Sequence, residues 1–257
     1  MIVSDSKTTS GESLRLIPLG DRCCYWIYCY QLHLMHFKKV KIINFKDLNF
    51  FQKIYNTTEV DHNFEDIATD EIHYTTNRAE QLWKNYKDHP KATNIQEPTD
   101  LQWPKFWKNF PKKYVVCQWD AKQQYRVIDE DRKQEIMNFY RELGYEFVVI
   151  GGEASGPRMR LDLDAIAYVI SKADYYVGAD SGMMNLSKLI LPLDRIHSYV
   201  NLNWESTNNN KHDRRLTKDG RSISGCIRSI YAMGAPINYC ENLDNPINYS
   251  KHHRDLV

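Results

Sequence analysis

The chain has 257 residues, with 34 Lys+Arg against 33 Asp+Glu and a formal net charge of +1, so bulk charge excludes a general polyanion binder and the length leaves room for two compact domains. Its six cysteines (Cys23, Cys24, Cys29, Cys117, Cys226, Cys240) show neither a CxxC pair nor a Cys/His cluster at zinc spacing, which argues against a bound metal and a disulfide framework and for a reducing compartment. The N-terminus lacks the basic-then-apolar pattern of a signal peptide, and the apolar stretch 23–37 is broken by Gln31, His33 and His36, so the expectation is a cytoplasmic protein (host cytoplasm if viral) without membrane insertion.

Taken in order, residues 1–13 read as a loose arm and Leu14–Leu19 as a strand stopped by Gly20-Asp21. Residues 21–37 carry large apolar groups on nearly all sides and read as a buried helix, followed by a strand over 40–45. One crossover helix fits between the two strands, which predicts a parallel βαβ unit. Residues 47–54 and 68–86 read as helices, and 90–111, with Pro90, Pro98, Pro104 and Pro111 around Trp103 and Trp107, as a linker. The second half alternates more cleanly: strands at 114–118, 147–150, 175–178 and 196–202, and helices at 129–143, 163–172 and 181–190. The segment 203–222 is polar and loop-like, 222–233 reads as a helix, and the tail from 234 is irregular or packed back across the first domain. The predicted division is 1–110, 111–235 and 236–257. Alternation of this kind gives parallel α/β sheets covered on both faces, whose ligands sit at the carboxyl ends of the strands.

The turn Asp180-Ser181-Gly182 has that location, between an apolar strand and a helix carrying Met183, Leu186, Leu189 and Ile190 at helical spacing. A helix beginning at a small turn presents unpaired amides and its positive dipole end, and the Ser181 hydroxyl adds a donor, so the turn suits a phosphate. The same residues also make an ordinary N-cap with nothing bound, and both readings stay open. Gly20-Asp21, Gln118-Trp119 and Gly151-Gly152-Glu153 fall at the other predicted strand ends. Asp21 reads as either a functional acid or a helix cap, Glu153 as a ribose-binding or a solvated acid, and Lys122 and Arg126 as diphosphate partners or a solvated face.

Four stretches carry a resemblance: Leu19-Gly20-Asp21, the strand Tyr114 to Gln118 with its following polar loop, Phe147 to Glu153, and Ile170 to Leu186 with its Asp-Ser-Gly turn, the last two specific in order and spacing. Together they resemble the heptosyltransferase-like glycosyltransferases of the GT-B fold, well over residues 114–192 and thinly before them. The resemblance implies two Rossmann-like domains with parallel sheets facing a central cleft, one holding a nucleotide-diphosphate sugar and the other the acceptor. It implies that Asp21 is the general base of an inverting, metal-independent transfer, flanked on the acceptor side by Gly20 and Arg22. It places the donor phosphates at Ser181, Gly182 and Met183, with Asp180 orienting the turn. Lys122 or Arg126 would neutralise the leaving group, and Gln118, Trp119, Gly151, Gly152 and Glu153 would contact the donor, with a UDP-sugar among the candidates. Asn185 stands where that family usually has His, and the chain is shorter than typical members.

The acceptor stays open between a glycan or lipid-linked saccharide and a 5-hydroxymethyl base in phage DNA. The reading leans to double-stranded DNA, because Lys211, Arg214 and Arg215 lie in a basic segment and Trp103 and Trp107 are placed to stack on an extruded base. A non-catalytic module that kept the nucleotide site is the third reading. No cofactor is expected beyond the nucleotide-sugar substrate. The sequence holds no GxxxxGK[ST] and no GxGxxG, which argues against a P-loop kinase and a dinucleotide dehydrogenase.

Overall fold

The computed structural model describes residues 2–5, 19–36, 39–42, 45, 47–61, 71–74, 90–98, 111–121, 127–151, 163–179, 181–199, 238–240 and 246–248. Two sheets organise them. The first has four parallel strands in the order β3-β2-β1-β4, formed by β1 (Ile2–Asp5), β2 (Val40–Ile42), β3 (Val60–Asp61) and β4 (Glu71–Tyr74). The second has six strands, ordered β10-β9-β8-β7-β5-β6, from β5 (Tyr114–Gln118), β6 (Glu146–Val149), β7 (Tyr175–Gly178), β8 (Ile196–Tyr199), β9 (Asn238–Cys240) and β10 (Pro246–Asn248). Only β10 runs antiparallel to its neighbour. This is the α/β architecture of largely parallel sheets that the alternation predicts, in the two-sheet form that the resemblance implies.

Helices follow the strands as the periodicity requires: α1 (Leu19–His36), α2 (Leu48–Tyr55), α3 (Glu130–Glu142), α4 (Leu163–Lys172) and α5 (Gly182–Ile190). In α1, Cys23, Trp26 and Ile27 are fully buried. Trp26 stacks on Phe51 of α2 with ring centroids 5.5 Å apart, which fixes the two helices against each other. The helix α3 starts where Asp129 accepts the Arg132 amide at 2.8 Å and ends at Gly144, whose φ of 82° is the left-handed turn glycine allows. Tyr114 of β5 donates its hydroxyl to the Val169 carbonyl at 2.7 Å, seating α4 on the sheet.

Four expectations change. The segment 1–13 contains a strand: β1 pairs in parallel with both β2 and β4, Ile2 opposing Lys41 and Glu71. Leu19, expected to end a strand, instead opens α1; Leu14–Pro18 lie outside the described residues. Within the expected helix 68–86, Glu71–Tyr74 is β4, and its polar–apolar alternation fits a strand once β1 is beside it; the rest of that helix lies outside the described residues. In the tail, β9 joins β8 and β10 pairs with β9, so residues 238–240 and 246–248 extend the second sheet. Pro246 takes the first position of the edge strand, where its missing N–H is tolerated.

In each sheet the chain order reverses at one point, between β1 and β4 and between β5 and β7. The carboxyl ends of strands at such a reversal leave a crevice for ligands. α1 is the first described helix after β1, and α5 follows β7 directly. A single apolar cluster then runs from α1 and α2 through Val116, Val148, Ile166, Leu186, Leu189 and Ile190, so the core is continuous between the two sheets.

Candidate active site

Construction of the site begins with two glycines at strand ends. Gly178 closes β7 at φ 146°, and a Cβ there would lie 2.3 Å from the Gln118 carbonyl oxygen. That carbonyl accepts the Ala179 amide at 2.8 Å, so the chain leaves β7 against the end of β5. Gly151, at φ 69°, follows β6; a Cβ on it would meet Gln118 Nε2 at 2.9 Å and Met183 Cγ at 3.2 Å. Gln118, Gly151 and Met183 therefore meet at the reversal point of the second sheet, and Gln118 Oε1 is buried with no hydrogen-bond partner.

Ser181 caps α5 in the ordinary way. Its Oγ accepts the Met184 amide at 3.3 Å and lies 3.2 Å from the Tyr176 hydroxyl, which donates to the Ala179 carbonyl at 2.7 Å. With the tyrosine proton committed, the serine hydroxyl donates back to Tyr176, so both of its roles are filled inside the fold. The N-cap is thus present at Ser181 with its side chain engaged in the fold. What remains is backbone: the Gly182 and Met183 amides have no carbonyl one turn earlier to bond, and both residues are part-exposed. No acidic residue stands in the first turn of α5, in contrast to α3 with Glu130 and Asp131 and α4 with Asp164.

The start of α1 lies against the start of α5. A Cβ on Gly182 would be 3.2 Å from the Gly20 nitrogen and 3.2 Å from Leu19 Cβ, and one on Gly20 would be 2.8 Å from Asn185 Nδ2. The absence of a side chain at both glycines leaves room for this approach. Two positive dipole ends thus sit side by side, which favours an anion near them. Asp21 is the next residue of that same turn of α1. Asn185 is 5% exposed, and its Oδ1 has no partner.

The structure therefore brings together Gly20, Gln118, Gly151, Ser181, Gly182, Met183 and Asn185. It places two expected site residues elsewhere. The Trp119 ring is buried and packs 6.0 Å from the Phe147 ring in a second core cluster, so it is a core residue. The Arg22 guanidinium pairs with Asp47 at the start of α2, and burial pulls its pKa below the ordinary arginine value. Lys122, Arg126, Gly152, Glu153, Asp180, Trp103, Trp107, Lys211, Arg214 and Arg215 lie outside the described residues. Tyr176, which anchors the cap, escaped the sequence reading; its signal was a tyrosine inside an apolar strand five residues before the turn serine. Among the described residues no group of three or more His, Cys, Asp or Glu side chains is placed to hold a metal ion, and no helix is long and apolar enough to cross a membrane.

No protein-family model and no curated protein matches the chain. Among solved structures it is similar to the iron-containing dodecameric glycosyltransferase TibC from enterotoxigenic Escherichia coli, with TM-score 0.51, 12% identity, and coverage of 77% of this chain and 57% of that one. The chain thus aligns with little more than half of TibC. The E. coli heptosyltransferase WaaC, solved with ADP, gives TM-score 0.42 and 14% identity over 77% of this chain and 87% of that one. At such identities the likeness to TibC is one of fold.

Proposed function

We propose that this protein is an inverting glycosyltransferase that moves a sugar from a nucleotide-diphosphate sugar to an acceptor hydroxyl. The observation that carries the reading is the contact of Gly20 with Gly182, which puts the first turn of α1 beside the amide-rich start of α5. Asp21 takes the proton of the acceptor hydroxyl as its oxygen attacks the anomeric carbon. The bond from that carbon to the diphosphate breaks on the opposite face, and the Gly182 and Met183 amides receive the departing charge. Lys122 and Arg126 follow β5 in sequence and complete the neutralisation, so the scheme calls on no metal. Glu153 binds the ribose hydroxyls, Gln118, Gly151 and Gly152 line the nucleotide side, and Asn185 lines the side towards α1.

The acceptor is the hydroxyl of a saccharide, in keeping with a fold shared with a glycosyltransferase; the basic and aromatic residues that pointed to hydroxymethylated DNA lie outside the described residues. The test begins with thermal shift against ADP-, UDP-, GDP- and CMP-sugars, where one donor should raise the melting temperature by several degrees through mass action on the folded state. Transfer from that donor is then assayed to saccharide acceptors and to hydroxymethylated duplex DNA. Asp21→Asn should keep the shift and lower turnover by about 10²–10⁴-fold. If no donor shifts the transition, or if Asp21→Asn turns over normally, the reading is wrong. Donor binding without transfer to either acceptor class would favour the non-catalytic module.

A further inference from the structure

Residues 90–98 have no regular secondary structure, yet their polar groups are placed on the ends of two helices that belong to different sheets. The Ala92 amide donates to the Leu189 carbonyl at 2.8 Å, and Lys91 Nζ donates to the Lys188 carbonyl at 2.7 Å, both on the last turn of α5. One and two residues later, the amides of Thr93 and Asn94 donate to the Ile54 carbonyl at 3.0 and 2.9 Å, and Asn94 Nδ2 donates to the Lys53 carbonyl at 3.0 Å, all on the last turn of α2. Tyr55 of α2 donates back to the Pro90 carbonyl at 3.1 Å. The last carbonyls of a helix have no partner in their own helix. Here one five-residue stretch supplies them for both helices at once, with the Lys91 ammonium also at the negative end of the α5 dipole.

The same junction is held from two further sides. Lys53 of α2 pairs with Asp164 of α4 at 3.0 Å. Ala92 and Ile95 pack against the apolar cluster that already includes α1, α2, α4 and α5. At its opposite end, α5 meets α1 through Gly182 and Gly20. α5 is thus tied to the first half of the chain at both ends, by the strap at its C-terminus and by the glycine contact at its N-terminus.

The geometry points to residues 90–95 as a strap that joins the two sheets into one cooperative unit, so that the pairing of the α1 and α5 starts is preorganised and does not depend on hinge closure between the halves. A hinged pair would open at this junction; opening here breaks backbone hydrogen bonds of two helices together with a continuous core. Preorganisation of this kind removes the cost of ordering the site when a ligand arrives.

Native-state hydrogen exchange on the full chain tests this without any ligand, so its outcome is independent of the proposed activity. The slowest-exchanging amides of β2 and of β5 should open with the same free energy and the same dependence on denaturant, both following global unfolding. Ala92→Pro, which deletes the amide bonded to α5 and also restricts the backbone at residues 91 and 92, should speed exchange at both sets by the same factor, on the order of tenfold or more. The strap is refuted if the β2 amides open at lower energy and with a smaller denaturant slope than those of β5, or if Ala92→Pro speeds exchange in the second sheet alone. Should Ala92→Pro fail to fold, the comparison in the unaltered protein decides.

Discussion

Gly178 is the position with least freedom to change. Its φ of 146° suits glycine alone, and a Cβ would stand 2.3 Å from the Gln118 carbonyl oxygen, a backbone atom that cannot swing aside. Gly178→Ala should therefore cost about 3 kcal/mol or more, read as a lower urea midpoint. Gly20 differs: the atom its Cβ would meet is the terminal amide nitrogen of Asn185, which can turn away. His197 makes a pH-dependent contribution. Its Nε2 faces the Asp194 carbonyl at 3.2 Å and so carries the proton, which leaves Nδ1 to accept from the Tyr140 hydroxyl at 2.5 Å. The Tyr140 oxygen in turn lies 3.3 Å from the Tyr199 hydroxyl, and the Tyr175 ring lies 4.9 Å from that of His197. Burial holds the His197 pKa below its usual 6.5, a pull the Asp194 carbonyl and carboxylate only partly oppose. The unfolded chain thus binds this proton more readily than the folded one. The stability His197 contributes is complete above pH 6.5 and is lost as the pH falls through the folded-state value. Denaturant midpoints measured on either side of pH 6.5 should show this decline, and His197→Phe should flatten it.

The start of helix α5 combines an observed structural role with the proposed functional one, and the two can be separated. Ser181 Oγ is engaged by the Met184 amide and Tyr176, whereas the proposed anion would meet the backbone amides of Gly182 and Met183. Ser181→Ala should cost about 1 kcal/mol of stability, the usual value of a lost N-cap. Nucleotide affinity should stay within a few-fold, measured by calorimetry on the folded variant. A collapse of affinity would return the hydroxyl to the role first expected of it. The extent of α5 was readable because an apolar strand, a cap residue, a glycine and a helical repeat are all local features. Strand β4 was not readable for the converse reason. Four residues, Glu-Ile-His-Tyr, hold too little pattern to outweigh the surrounding helical spacing, and they become a strand by pairing with β1 far away in sequence.

Across the molecule, the two sheets share one apolar cluster, with Trp26 and Ile27 from the first half and Leu186 and Leu189 from the second all fully buried within it. Leu186→Ala should cost about 2–5 kcal/mol and lower the thermal midpoint seen by Trp fluorescence and by far-UV circular dichroism together, because neither half keeps a complete core without the other. Sequence alone settled the parallel α/β class, the strand–turn–helix of 175–190 and the run of strand ends bearing Gln118, Gly151 and Ser181, since hydrophobic period and glycine punctuation act over a few residues. Tertiary structure alone decided that β1, β4, β9 and β10 are strands, that Trp119 and Arg22 are committed elsewhere, and that Gly20 touches Gly182. Each of these depends on which distant segment lies alongside, and that is set by the packing of the whole chain rather than by any local pattern.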